Sequence, residues 1–194
     1  MFRDNLESMD RYIKDVIANF HETLVTFRRM SKTTVAVVHG AVAGGGLSLA
    51  LACDIVVAEE RTKFAVGYRR LGASADGGMT HLLTRLLGQR KAIELLLLSD
   101  TFSAAEALAL GLINRVVAEA DIEAEISNLT LALAENAPVS VGALKRLVYG
   151  APTASFEEQL SRELAAFAEC AATADFREGI KAFSERRKPV FQGH

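Results

Sequence analysis

Tryptophan is missing from this chain, and aromatic residues make up only 7% of it. Platforms for stacking nucleobases are therefore scarce. Neither sign of charge dominates: 22 Lys and Arg stand against 24 Asp and Glu, a formal net charge of −2. No basic surplus marks a nucleic-acid partner, and no acidic block marks a solvated tail. Cysteine is sparse. Cys53 and Cys170 lie far apart and match no metal-ligand spacing, so no metal is expected. They read as buried thiols in a reducing compartment. Proline occurs three times, and no long apolar run is present; Ile93 to Leu98 is too short to span a bilayer. The chain opens with Arg3, Asp4 and Glu7 where a secretory signal would have an apolar core. No membrane partner and a cytoplasmic location are the expectation.

Apolar residues, by contrast, are half of the 194, enough to bury a core in one domain with a helical appendage. Leu6, Met9, Ile13, Val16, Ile17, Phe20, Leu24 and Phe27 recur at helical spacing, which predicts a helix from Phe2 to Met30. The β-branched run Thr33 to Val38 predicts a strand buried on both faces. His39-Gly40 ends it, and Gly44-Gly45-Gly46 follows. Leu47 to Cys53 then reads as an apolar helix and Asp54 to Ala58 as a second buried strand. Strand, helix, strand in this order implies a parallel sheet.

Lys63 to Gly78 reads as irregular. Beyond it, helices are predicted over Met79–Leu87, Arg90–Leu98, Ala104–Leu110, Ile122–Glu135, Val139–Val148, Phe156–Cys170 and Asp175–Arg186, with one short strand at Asn114–Val117. Ser103-Ala104-Ala105-Glu106 has the spacing of a capping box, and Gly111 stands where a helix C-cap belongs. The fold class is α/β with a helix-rich C-terminal part. Two or three strands are few for a doubly covered parallel sheet, so either the sheet is small or part of the domain lies outside this chain.

The segment Thr34 to Ala58 closely resembles the centre of the crotonase, or enoyl-CoA hydratase/isomerase, family: a buried strand, a small-residue bend, three glycines, a helix and an Asp-led strand. The likeness continues through Lys63-Phe64-Ala65, Leu71-Gly72, Asp76-Gly77-Gly78, Leu83 to Gly88, Phe102 to Ala107 and Gly111 to Val117. It closes at Arg177 to Phe183 and Arg186 to Pro189. Three glycines alone would be weak evidence; the ordered set is specific. The resemblance implies a crotonase-like ββα spiral core with a small parallel sheet in residues 1–125 and a C-terminal helical oligomerisation region in residues 126–194. It implies a homotrimer or a dimer of trimers. It implies an acyl-CoA substrate, with coenzyme A present as part of that substrate and no covalently bound cofactor. Family members carry further strands and an oxyanion segment ahead of the first helix. The resemblance therefore reads this chain as N-terminally truncated, or as starting upstream of its first residue here.

What the family does chemically sets the candidate residues. Two backbone N–H groups hold the thioester oxygen while the α-carbon gains enolate character. One donor matches Gly45, with Ala43 and Gly44 beside it as substrate-binding positions. Glycine at a helix N-terminus offers free N–H groups and close approach; without the resemblance, the same glycines make an ordinary strand-to-helix turn. The other donor would belong to the missing segment, and losing one such donor typically costs about 3 kcal/mol.

Family hydratases hold a water between two glutamates, at positions matched here by Ser48 and Tyr68. Neither acts as a base near pH 7 without a partner, so hydration by the two-carboxylate route is not expected. Ser48 reads as a small helix residue lining the pocket; Tyr68 lines the acyl pocket or packs its ring. Asp76, in Asp76-Gly77-Gly78, resembles the aspartate with which some family isomerases shuttle a proton. The alternative is that it N-caps the following helix. Phe183 and Arg186 match positions that in the family touch the adenine or phosphates, for which Arg has the charge and geometry; an amphipathic terminal helix is the alternative. His39 and His81 have no acid or nucleophile beside them in sequence and read as structural or exposed, Asp54 is expected to bond to backbone, and Arg69 and Arg70 face phosphates or solvent.

The expected function is isomerase-type proton transfer on an enoyl-CoA through Asp76. A hydratase by family label is the enzymatic alternative, and a non-catalytic acyl-CoA-binding or interaction protein is the alternative from another class.

Overall fold

The structure, a computed structural model, describes residues 9–194; the readings that involve Phe2, Arg3, Asp4, Leu6 and Glu7 lie outside the described residues. Two strands followed by a helix recur as a unit. After α1 (Met9–Arg29), β1 (Val35–Val38) bends at Gly40 into β2 (Ala41–Ala43) and on into α2 (Gly45–Ala52). Then β3 (Ile55–Glu59) leads into β4 (Lys63–Ala65), a 3₁₀ turn at Tyr68–Leu71, and α3 (Met79–Leu98). The leading strands pair in parallel, Val35 opposite Ile55 and Val38 opposite Ala58. The trailing strands pair in parallel as well, Ala41 opposite Lys63 and Ala43 opposite Ala65. β5 (Phe102–Ser103) joins β4 antiparallel, and after α4 (Ala104–Ala109), β6 (Arg115–Val117) joins β3 in parallel. The described residues thus hold two three-stranded sheets, β1-β3-β6 and β2-β4-β5, joined by a chain that winds from one to the other. This is an α/β fold built as a ββα spiral.

The sheets correct the sequence reading in two places. Six strands form among the described residues where two or three were expected. β2, β4 and β5 span three, three and two residues, too short to show any alternation, and β4 falls in the stretch read as irregular. β1, expected to be buried on both faces, is only half-buried, because it edges its sheet; β3, at the centre, is the buried strand. Asp54 behaves as expected. Its carboxylate accepts the Thr34 N–H at 2.7 Å and the Thr34 hydroxyl at 2.9 Å, tying the entry of β3 to that of β1. The core of this unit is aliphatic with one stacked aromatic pair, Phe64 and Phe102, whose centroids lie 5.5 Å apart.

Helix ends follow their sequence signals. The break predicted between Leu87 and Arg90 is a non-helical residue inside α3, Gly88, at φ 75° and ψ 163°. The capping box at Ser103 is closed both ways: its hydroxyl accepts the Glu106 N–H at 3.2 Å, and the Glu106 carboxylate accepts the Ser103 N–H at 2.7 Å. Gly111, just past α4, takes φ +72°, the left-handed conformation that glycine adopts without a Cβ penalty.

The chain divides into two compact units. One comprises the described residues up to Phe27 with Thr34–Ile122; the other comprises Arg28–Thr33 with Glu123–His194. The second unit is helical: all but the first residue of α5 (Ile122–Ala134), then α6 (Pro138–Gly150), α7 (Phe156–Ala171) and α8 (Ala174–Glu185). Within it, Lys145 Nζ donates to the Lys32 carbonyl at 2.7 Å, and the Arg28 guanidinium lies 3.8 Å from the centroid of the Tyr149 ring. Buried Asp175 accepts the N–H groups of Gln192 at 2.6 Å and Gly193 at 2.9 Å, holding the C-terminal segment against α8. Cys53 and Cys170 are not joined in a disulfide, and both are half-buried where burial was expected; each sits near the end of a helix. Among the described residues no helix is long and apolar enough to cross a membrane.

Candidate functional site

Three glycines start the site. Gly44 has φ 52° and ψ −123°, a backbone conformation open to glycine and strained for other residues. That bend turns β2 directly into α2, so the helix begins at Gly45 and not at Leu47 as the sequence reading had it. The first intrahelical bond runs from the Ser48 N–H to the Gly44 carbonyl at 3.0 Å. Gly45 therefore occupies the first turn, where N–H groups lack an intrahelical acceptor and the positive end of the helix dipole sits. Ala43 ends β2 with its side chain exposed, immediately before this bend.

One turn further along α2 is Ser48, fully buried. Its hydroxyl donates to the backbone carbonyl of Asp76 at 3.0 Å and lies 3.4 Å from the Tyr68 hydroxyl. Tyr68 in turn donates to Asp76 Oδ1 at 2.5 Å. Three residues spread over 29 positions of sequence thus meet, Tyr68 at the Asp76 carboxylate and Ser48 at its backbone carbonyl. Burial, and then the hydrogen bond to that carboxylate, push the Tyr68 phenol up to about 12, so it is a donor across the physiological range. Asp76 does not cap α3 with its side chain. The N-cap is Gly78, in a left-handed conformation, and Asp76 supplies only its carbonyl, which accepts the Met79 N–H at 3.1 Å. The carboxylate is drawn away from the helix end because Tyr68 binds it.

Two α1 residues complete the arrangement, and the sequence reading named neither as part of the site. His21 Nε2 accepts the Gly77 N–H at 3.1 Å, which places the ring proton on Nδ1. Phe20 stands so close that a Cβ built on Gly77 would lie 2.7 Å from its ring edge and 2.6 Å from Ser48 Cβ. With φ +59° as well, Gly77 accommodates only glycine. The Phe20 ring also reaches Gly45, 3.8 Å from where a Cβ would stand there. The sequence carried a signal for this pair only in part: Phe20 lay on the predicted apolar stripe of α1, whereas nothing nearby in sequence marked His21.

The remaining candidates fall elsewhere. Arg69 and Arg70 both pair with Asp100, the latter at 3.0 Å. Those partners hold the Asp100 carboxyl below the usual range. His39 is exposed beside Gly40, and His81 accepts from Arg85 Nε at 3.1 Å. Phe183 and Arg186 belong to the second unit: Phe183 is 86% exposed on α8, and Arg186 ends that helix with φ 55°. Among the described residues no group of three or more His, Cys, Asp or Glu side chains could hold a metal ion. Chemically, the cluster in the first unit offers backbone donors at a helix N-terminus, a geometry that can stabilise a developing oxyanion, and one carboxylate that accepts from the neutral Tyr68 hydroxyl, a group of the kind that can carry a proton.

Known proteins share this plan. A family model described as enoyl-CoA hydratase/isomerase matches residues 3–194. A Bacillus subtilis (strain 168) protein described as a probable enoyl-CoA hydratase is 37% identical over 163 residues, covering 84% of this chain and 63% of the relative. The 1,2-epoxyphenylacetyl-CoA isomerase of Escherichia coli (strain K12) is 33% identical over 178 residues, covering 91% of this chain and 68% of the relative. The crystal structure of an enoyl-CoA hydratase from Bacillus anthracis superposes with a TM-score of 0.90 at 27% identity, covering 95% of this chain and 71% of that one. The chain thus spans roughly two thirds of the length of the proteins it matches.

Proposed function

This chain belongs to the enoyl-CoA hydratase/isomerase family, and from that premise we propose that it shifts the double bond of an enoyl-CoA by moving one proton through Asp76. The observation that carries this reading is the cluster itself: of the residues gathered at Asp76, namely Ser48, Tyr68, His21 and Gly77, none adds a second carboxylate. Holding and activating a water between two carboxylates, the route of the family's hydratases, lacks its partners here. Shifting a double bond needs only one group that takes a proton and returns it.

In this mechanism a 3-enoyl thioester binds with its carbonyl oxygen toward the first turn of α2. The Asp76 carboxylate takes a proton from the α-carbon. The electron pair left on the α-carbon delocalises onto the thioester oxygen, where the Gly45 N–H donates to the developing charge, and through the double bond onto the γ-carbon. Asp76 then delivers the proton to the γ-carbon, and the double bond stands conjugated with the thioester. No atom is gained or lost. Ala43, Gly44, Ser48 and Tyr68 line the site in this reading, coenzyme A is part of the substrate, and no bound cofactor is needed. Phe183 and Arg186 are proposed contacts for the adenine and phosphates of a neighbouring subunit's substrate. A homotrimer or dimer of trimers belongs to the same proposal, supported by the exposed apolar side chains Leu160, Leu164, Phe167 and Ile180 on α7 and α8.

The Escherichia coli relative, named as an isomerase of an epoxide, puts isomerases among similar chains, whereas the description of the Bacillus subtilis relative favours hydration as the second reading. Replacing the proton carrier separates them. Asp76→Asn should lower kcat for conversion of 3-enoyl-CoA to 2-enoyl-CoA by about 100- to 10,000-fold, the usual contribution of a general acid–base group. Turnover unchanged by that substitution would sink the aspartate mechanism.

A further inference from the structure

We propose that Tyr68 and Ser48 are positioning residues for Asp76, and that the chain thereby turns the two positions matched to hydratase glutamates into the mount for a single proton carrier. This rests on the reading of Asp76 given above.

Asp76 needs a mount. It sits in the loop between the 3₁₀ turn and α3, where Gly72, Gly77 and Gly78 all take positive φ. Glycine-rich backbone has much freedom to lose, and a reacting carboxylate is useful only when held near its productive geometry. Three hydrogen bonds supply that restraint, each on a different part of the turn. Tyr68 fixes the side chain by donating to Oδ1, which leaves Oδ2 for the substrate proton. Ser48 fixes the peptide by donating to the Asp76 carbonyl. His21 fixes the next peptide by accepting the Gly77 N–H. Ser48 also sits one helical turn after Gly45 on α2, so the rigid first turn of that helix links the carboxylate's mount to the oxyanion donor. Tyr68 is suited to this work and not to base catalysis, since its proton stays on until about pH 12. Its ring, moreover, stands 3.9 Å from the Cβ position of Gly44, packed where a phenylalanine would fit equally well.

That last point makes Tyr68→Phe the informative variant, because it keeps the ring and removes only the donor. Steady-state kinetics with a 3-enoyl-CoA should show kcat lower by about tenfold to a hundredfold, the range for a hydrogen bond to a charged group, and KM unchanged within about twofold. Ser48→Ala should lower kcat in the same direction. In an Asp76→Asn background Tyr68→Phe should have no further effect, because the group it positions is already lost. Spectrophotometric titration reads the pair without turnover: the Tyr68 signal, taken as the difference from Tyr68→Phe, should come at about pH 12 in the unsubstituted chain and lower in Asp76→Asn. A raised KM with kcat intact would mean that Tyr68 merely lines the pocket and overturns the proposal. So would an equal loss with and without Asp76, or a tyrosine titration indifferent to Asp76. If Asp76→Asn itself keeps full activity, it is the underlying proton-transfer reading that fails, and the two failures are thereby told apart.

Discussion

Gly77 shows how closely the site is packed at the scale of single residues. It holds a left-handed φ of +59°, and a methyl group there would run into Ser48 and Phe20 at once. Gly77→Ala should therefore destabilise the chain by about 1–3 kcal/mol, the usual cost of overpacking, measured by urea unfolding. It should also depress turnover by displacing the neighbouring Asp76. A variant as stable and active as the parent would show that the turn relaxes freely. Most residues of this candidate site could be named from the sequence, because Gly44-Gly45-Gly46, Ser48, Tyr68 and Asp76 stand at recognisable spacings in a family pattern. What was not legible was how they meet. The Tyr68–Asp76 hydrogen bond and the absence of a side-chain cap from Asp76 depend on where the loop folds back. His21 lies 56 residues from the amide it accepts, and no local pattern encodes a contact of that kind.

At the scale of elements, α8 and the segment after it illustrate how charge fastens a helix end. The Glu178 carboxylate accepts from Arg187 at 2.5 and 2.9 Å and from the Val190 N–H at 3.0 Å. Those donors, Arg187 foremost, pull its carboxyl from 4.5 down to about 2. A carboxyl depressed on folding contributes stability above its unfolded value and loses it as pH falls through the folded one. The contribution should therefore be intact above about pH 4.5 and fade toward pH 2. The thermal midpoint of the parent should fall through that window more steeply than that of Glu178→Gln, with salt narrowing the difference because the pair is exposed. Parallel curves at low salt would show that the clasp contributes nothing. Elements with a strong local code were readable in advance: the Ser103 capping box, the Gly88 break and the helices after Phe102 stand close to where periodicity and caps put them. The two- and three-residue strands were not, since their pairing is decided by neighbours distant in sequence.

Over the whole molecule, the question is what a family chain of this composition does with its substrate. The fold is a ββα spiral followed by a helical unit, and its first unit presents a helix N-terminus and one mounted carboxylate. In the proposed function that arrangement serves a reaction in which a proton changes carbon and nothing is added. The class of fold was readable from the ordered motifs, whereas the choice between adding water and moving a proton rests on side-chain chemistry at two positions, Ser48 and Tyr68. The most direct test is product mass. The purified chain is incubated separately with a 3-enoyl-CoA and with the matching 2-enoyl-CoA, and the products are resolved by liquid chromatography and mass spectrometry. Conversion of the first into the second with no change of mass, and no hydrated product from either, is the predicted result. A product heavier by one water, formed at a rate matching or exceeding isomerisation, would contradict it.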